Sequence, residues 1–308
     1  MKKVSIIGAA GTLGSSCAMS LAMNDMIHEL CLIDLNNSLL DNHVMDFENA
    51  FPEKKIYRGT YEHLKGSEVI IITAGVPNRN NETSRNAYLI DNIKIIHEIG
   101  SQIENYAPNT VIITASNPVD LLNYYLYKTF NFKKERLIGY NLNDSFRFDW
   151  AIRKNLQLSY KGKIQTPVIG EHGESQVPVF SQVKTKEGYI TFTEEQKKSI
   201  QDDIRTWFVQ FNRLNVNRTT GWTTAVGMRR LIEGLLTNRT TNLLCSAVLE
   251  GEYGIEGLSI GVPVKINKDG IKSIVSWNLT ETERQGFNQS AVKILTIIKE
   301  NKDLFSNL

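Results

Sequence analysis

Short runs of consecutive apolar, mostly β-branched residues punctuate the first half of the chain, at Val4 to Ile7, Leu30 to Ile33, Val69 to Ile72 and Val111 to Thr114. Runs this short, without polar alternation, predict strands covered on both faces. Longer stretches with helical spacing separate them, near 12 to 26, 86 to 106 and 119 to 130. Alternation of strand and helix predicts a parallel sheet, because parallel neighbours need a crossover. The pattern changes near residue 140. A helical stretch from Asp144 to Leu156 is followed by a polar turn around His172 and helical patterns near 193 to 213 and 219 to 237. Strands are then signalled at Leu243 to Leu249, Gly257 to Ile266 and Ile271 to Val275, the last two joined by the turn Asn267-Lys268-Asp269-Gly270. A closing helix over about Thr280 to Glu300 carries Phe287, Ala291, Ile294 and Ile298 on one face. The expectation is a doubly wound α/β domain over residues 1–142 and an α+β domain over 143–308.

Chemistry enters first at Gly8-Ala9-Ala10-Gly11-Thr12-Leu13-Gly14, between a strand and a helix. Glycines there let the backbone turn sharply and bring N–H groups against a pyrophosphate at the positive end of the helix. Asp34 follows twenty residues after Gly14 at the end of the next strand, where a carboxylate can bind both ribose hydroxyls. It would repel a 2′-phosphate, so the expected cofactor is NAD and not NADP. The plainer alternative is a tight turn with an acid that only caps it.

A second constellation lies downstream. Gly170-Glu171-His172-Gly173-Glu174-Ser175 holds one histidine in a glycine-flanked polar turn, where an imidazole can exchange a proton near neutral pH. Asp144 and Arg147, three residues apart, turn toward one helix face and offer a carboxylate for the imidazole beside a guanidinium for a substrate acid. The plainer alternative pairs Arg147 with Asp149 or Glu171 on a solvated surface.

Composition narrows the partners. With 35 basic and 33 acidic residues in 308, net charge +2 and no clustered basic face, nucleic acid and membrane partners are not expected. The three cysteines, Cys17, Cys31 and Cys245, form no C-x-x-C pair, so neither a disulfide framework nor a metal site is expected, and a reducing cytoplasm is the expected setting. The start, Met1-Lys2-Lys3-Val4, has a signal-like charged head, but its apolar run breaks at Gly8 and is read as a first strand.

Six ordered motifs then carry a resemblance: Gly8 to Gly14, Asp34, Thr73-Ala74-Gly75, Ser116-Asn117-Pro118-Val119-Asp120, Asp144-Ser145-Phe146-Arg147 and Gly170 to Ser175. Over its whole length the chain resembles the NAD-dependent lactate/malate dehydrogenases. The resemblance implies an N-terminal Rossmann domain, a C-terminal α+β substrate domain, and hydride transfer between NADH and a 2-oxo acid. It makes His172 the acid/base, Asp144 its partner, Arg147 the carboxylate clamp and Arg85 the group that polarises the carbonyl. Asn117 and Thr223, with Thr224 in reserve, would line the substrate. Gly8, Gly11, Thr12, Leu13, Gly14, Asp34, Thr73, Ala74, Gly75, Asn92 and Asn117 would hold the coenzyme. Family precedent further implies a homodimer or homotetramer.

The segment from Val76 to Ser84, polar and rich in turn formers, reads as a lid or as an ordinary loop. In this family the lid residue six places before the catalytic arginine separates dicarboxylic from monocarboxylic substrates. Counting back from Arg85 gives Arg79, which favours malate and oxaloacetate; counting forward from Gly75 gives Asn78, leaving lactate, pyruvate or a branched 2-hydroxy acid open. Some bacterial lactate dehydrogenases bind a sugar bisphosphate where this chain has Asp149 and Gln165, which argues against that activation. Two other classes compete: NAD- and metal-dependent glycosidases, which need a Cys/His metal pair, and a catalytically silent NAD-binding protein.

Overall fold

The computed structural model describes residues 2–76, 88–157, 162–214, 216 and 218–306. Its first half runs β1 (Lys3–Ile7), α1 (Thr12–Ala22), β2 (Glu29–Ile33), α2 (Asn37–Ala50), β3 (Lys55–Arg58), β4 (Val69–Ile72), α3 (Leu89–Tyr106), β5 (Val111–Thr114), α4 (Val119–Thr129) and β6 (Leu137–Gly139). The six strands pair in parallel in the order β3-β2-β1-β4-β5-β6. The four apolar runs are therefore strands, and β4 and β5 are buried at every position. Strand order reverses between β1 and β4, and a crevice opens beyond the carboxyl ends of strands at such a switch point.

Three elements of this half lack an apolar signature. β3 alternates Lys-Ile-Tyr-Arg at the sheet edge and β6 is three residues long. In α2 only Leu40 and Phe47 are buried; its start is fixed by the Asn36 side chain, which accepts from the Leu39 N–H at 3.2 Å.

The second half contains α5 (Leu142–Leu156), the short strands β7 (Val168–Ile169), β8 (Val177–Pro178), β9 (Lys184–Thr185) and β10 (Gly188–Tyr189), then α6 (Glu194–Arg213) and α7 (Gly221–Leu235). It ends with β11 (Thr241–Glu250), β12 (Glu256–Asn267), β13 (Gly270–Ile274), α8 (Glu281–Glu300) and α9 (Lys302–Ser306). Thr280 starts α8 with a reciprocal cap: its hydroxyl accepts from the Glu283 N–H while the Glu283 carboxylate accepts from the Thr280 N–H.

β11, β12 and β13 form an antiparallel meander that joins the first sheet, Ser246 of β11 lying opposite Gly139 of β6. One nine-stranded sheet thus runs through both halves. The junction depends on small residues, since a Cβ on Gly139 would stand 2.6 Å from that of Ser246. A second apolar cluster, built from Phe148, Ala151 and Ile152 of α5 with Val168, Phe180, Val183, Phe192, Ile200 and Ile204, clamps α5 between β7 and α6. Each large side chain so buried contributes about 1.5–3 kcal/mol. With its apolar side fixed in this way, α5 holds Asp144 and Arg147 in place.

Candidate active site

The glycine loop follows β1 at the switch point. Gly8 adopts φ +89°, and a Cβ there would lie 2.7 Å from the Ala74 Cα; a Cβ on Gly14 would lie 2.7 Å from the Ala9 Cα. The cradle is thus formed by backbone in contact with backbone, which only glycine permits. Thr73 ties β4 to this loop, its hydroxyl donating to the Ile7 and Gly8 carbonyls at 3.0 Å each. Ser116, after β5, donates to the Ala74 carbonyl at 2.6 Å. Asn92 of α3 accepts from the Val76 N–H at 2.8 Å and donates to the Asn117 carbonyl at 2.6 Å, so both ends of its amide brace the loops beyond β4 and β5.

Asp34 stands at the end of β2, where its carboxylate accepts from the Ala10 N–H and the Asn36 N–H at 2.9 Å each. The acid therefore does cap the glycine loop. An ionised carboxylate offers about four acceptor positions, so this half-buried group keeps capacity for two ribose hydroxyls. It is followed by Leu35, 95% exposed, and by Asn36 and Asn37, so no cation stands in sequence beside it for a 2′-phosphate. Gly11 and Thr12 lie exposed at the loop's crest, and Leu13 is half-buried. Asn117 adds a buried side-chain oxygen, Oδ1, with no hydrogen-bond partner among the described residues. A glycine cradle at a helix start, an acid with spare acceptors and an orphaned amide oxygen fit a dinucleotide.

The histidine turn is fixed from four directions. Gly170, at φ +91°, exchanges backbone hydrogen bonds with Gly261 of β12 at 2.9 and 3.0 Å. The Glu171 N–H donates to the Ser290 hydroxyl of α8 at 2.6 Å, and its carboxylate accepts from the Ser175 hydroxyl at 2.6 Å and from Lys293 at 2.9 Å. Burial pushes the Glu171 carboxyl up, but these bonds outweigh it and hold the group below the usual carboxylate range. The His172 N–H donates to Asp120 Oδ2 of α4 at 2.7 Å, and the ring Nδ1 lies 2.6 Å from Asp144 Oδ2 of α5. Asp120 is one turn beyond Asn117, so the histidine sits beside the loop that ends β5.

Asp144 joins two functions. Its other oxygen accepts from Arg147 at 3.0 Å, and the three side chains of Asp144, Arg147 and His172 are buried. A charged Asp144 can only accept, so the Nδ1 N–H of His172 would donate to it, which fixes the orientation of the ring. The surface pairings considered for Arg147 are taken elsewhere: Asp149 bonds Arg153 at 2.9 Å, and Glu171 bonds Lys293. Burying ionised groups costs several kcal/mol each unless they are paired, which makes this cluster the candidate site.

α5 is also tied to α7. Asn143 donates to Thr224 at 2.8 Å and to Thr220 at 3.2 Å while accepting from the Tyr140 hydroxyl at 2.9 Å. Thr224 is buried and bonded, whereas Thr223 is half-buried and makes no side-chain hydrogen bond among the described residues. Gly221 presses α7 onto the start of α1, 3.1 Å separating a Cβ there from the Thr12 carbonyl oxygen. The helix that carries Arg147 and the glycine loop are thereby braced against the same helix. Arg79 and Arg85 lie outside the described residues.

Asp120 carried no expected role. Its only signal was its place in the Ser-Asn-Pro-Val-Asp run, and its use depends on a turn fifty-two residues away. Burial pushes its carboxyl up to about 7. Among the described residues, no group of three or more His, Cys, Asp or Glu side chains could hold a metal ion, and no helix is long and apolar enough to cross a membrane.

Residues 2–139 match the NAD binding domain of lactate/malate dehydrogenase, and residues 142–305 match its alpha/beta C-terminal domain. The chain is 34% identical over 303 residues to the malate dehydrogenase of Haloferax volcanii, covering 96% of this chain and 97% of that one. It superposes on the malate dehydrogenase of Cryptosporidium parvum with a TM-score of 0.92 at 27% identity, covering 98% and 99% of the two chains. The lactate dehydrogenase of the same organism, solved with lactic acid and nicotinamide adenine dinucleotide, gives 0.90 at 25% identity, covering 100% and 98%. The matches run from the first strand to the last helices, and by them this chain belongs to the lactate/malate dehydrogenase family, as an NAD-dependent oxidoreductase.

Proposed function

We propose that the protein interconverts a 2-oxo acid and its L-2-hydroxy acid, with oxaloacetate and malate as the favoured pair. The observation that carries this reading is the buried Asp144, bonded to His172 on one oxygen and to Arg147 on the other. NADH, held by the glycine loop and Asp34, would supply the hydride. His172 gives the proton from Nε2 to the carbonyl oxygen, and Asp144 stabilises the imidazolium through Nδ1 before the proton leaves. In oxidation Nε2 takes it back. Arg147 grips the substrate carboxylate with parallel N–H donors, a geometry lysine lacks. Asn117, with its unpartnered oxygen, orients the substrate near the coenzyme, and Thr223 is the free hydroxyl of α7 for the same pocket.

Gly8, Gly11, Thr12, Leu13 and Gly14 would cradle the pyrophosphate, with Asp34 on the ribose. Thr73, Ala74, Gly75 and Asn92 would shape the crest over the nicotinamide side. Arg85 and Arg79 complete the reading as carbonyl polariser and distal carboxylate clamp. The malate preference is supported by Arg79 in the sequence and by malate dehydrogenases among the relatives at 31–34% identity. We assign 1–142 to the coenzyme domain and 143–308 to the substrate domain. A homodimer or homotetramer is supported by exposed apolar side chains on α1 and α7, Met19, Trp222 and Val226, with Met23 just beyond α1, the two helices being packed together; a single-chain mass by light scattering would remove it. The three unpaired, buried cysteines fit a reducing cytoplasm.

The test follows NADH absorbance with oxaloacetate, pyruvate and a branched 2-oxo acid in turn. The highest kcat/KM is expected with oxaloacetate. Preference for pyruvate would place Asn78 in the discriminating position, and turnover of none of the three would end the reading.

A further inference from the structure

Arg147 has a neighbour that no part of the proposed chemistry uses. The carbon of its guanidinium lies 4.5 Å from the centre of the Trp207 ring. Trp207 projects from α6 and is half-buried. One turn further along α6, Phe211 stacks on Trp207: the two ring centres are 5.0 Å apart with the planes 16° from parallel. α6 itself is anchored to α5 through Ile200 and Ile204, which enter the cluster around Phe148 and Ile152.

We propose that Trp207 is a positioning residue for recognition of the substrate carboxylate, acting through Arg147, a role that rests on the carboxylate-clamp reading of Arg147. A guanidinium is planar, and all its N–H donors lie in that plane. An aromatic ring over its face therefore consumes none of them. Asp144 accepts from NH1 at 3.0 Å, which pins the guanidinium along one edge. The indole face adds a constraint of another kind, on the tilt of that plane. It also shields one side of the cation from water without pairing it with an anion, which keeps its charge for the substrate. Phe211 in turn limits the tilt of the indole. A tightly folded α6 thus sets the angle at which Arg147 meets a carboxylate, and the parallel geometry needed for two hydrogen bonds depends on that angle.

The role predicts a specific kinetic pattern. Trp207→Leu keeps bulk on α6 but loses the π face, and is expected to raise KM for the 2-oxo acid by roughly 3- to 30-fold, the range that a cation–π contact supports. KM for NADH should stay within twofold of wild type. Trp207→Phe restores a ring over the guanidinium and should recover most of the loss. Phe211→Leu leaves Arg147 and Trp207 in place and should raise the same KM by a smaller factor, about two- to fivefold; it keeps the test open if Trp207→Leu does not fold. An unchanged KM for the 2-oxo acid in whichever of the two leucine variants folds overturns the role, as does a parallel rise for NADH or a Phe variant no better than Leu. Failure of the underlying reading looks different: wild-type protein would then reduce none of the 2-oxo acids.

Discussion

The two ends of the site are held by different means. At the glycine loop, backbone packs on backbone: Gly8 against Ala74, Gly14 against Ala9, with hydrogen bonds from Thr73 and Ser116 closing the crest. At the histidine turn, side chains from four separate elements meet: buried Asp120 from α4, Asp144 from α5, His172 itself and Ser290 from α8, with half-buried Lys293 of α8 beside them. The first arrangement needs an absence, the missing Cβ, and one local stretch of chain supplies it. The second needs charges that are costly to bury, and only long-range folding brings them together. Local change should therefore break the first end sterically and the second end electrostatically.

The steric side gives the larger expected effect. Gly14→Ala places a methyl against the Gly8 and Ala9 backbone, which cannot swing aside as a side chain would. Overpacking of this kind costs about 1–3 kcal/mol of stability. NADH affinity should fall by more than about tenfold, since the displaced backbone carries the N–H groups that would face the pyrophosphate. Titration of NADH fluorescence together with a urea melt measures both; unchanged affinity would show that the loop does not cradle the coenzyme.

The electrostatic side gives a smaller effect that depends on pH. The Asp120 carboxyl titrates near 7 in the folded chain because burial disfavours its charge, while in the unfolded chain it titrates near the ordinary aspartate value of about 3.9. Below both values the proton is bound in both states and this group costs nothing. As pH rises from about 4 to about 7 the unfolded chain releases the proton first, so folded stability falls across that window and then levels off. Asp120→Asn does not titrate but keeps an acceptor for the His172 N–H. The difference in melting temperature, variant minus wild type, should thus become more positive from pH 4 to pH 7 and stay flat above. A difference independent of pH would mean that Asp120 is ionised throughout.

The same contrast explains what the sequence alone revealed. Continuous apolar runs announced β1, β2, β4 and β5, since a strand buried on both faces must be apolar. The helix α8 was equally legible, because Phe287, Ala291, Ile294 and Ile298 recur at helical spacing along it. β3 and α2 escaped, being edge elements whose burial rests on Ile56, Leu40 and Phe47 alone. The join of β6 to β11 also escaped, since Gly139 and Ser246 have no local signature; it places strands of both expected domains in one sheet. In the site, the glycine loop and Asp34, including the alternative that the acid caps the turn, could be read from spacing; that the capped group is the Ala10 N–H took the fold to show. Asp144, Arg147 and His172 were readable because three-residue helical spacing and glycine flanks are local. Asp120, Lys293 and Trp207 were not, since each acts across a gap in sequence that only the fold closes.

The central claim is that the imidazole supported by Asp144 moves the substrate proton. The most direct measurement compares wild type with His172→Asn for NADH-dependent reduction of the best 2-oxo acid, alongside NADH binding. Loss of roughly two to four decades in kcat, with NADH affinity within a few-fold of wild type, is the predicted result. A variant that turns over at a comparable rate would contradict the account.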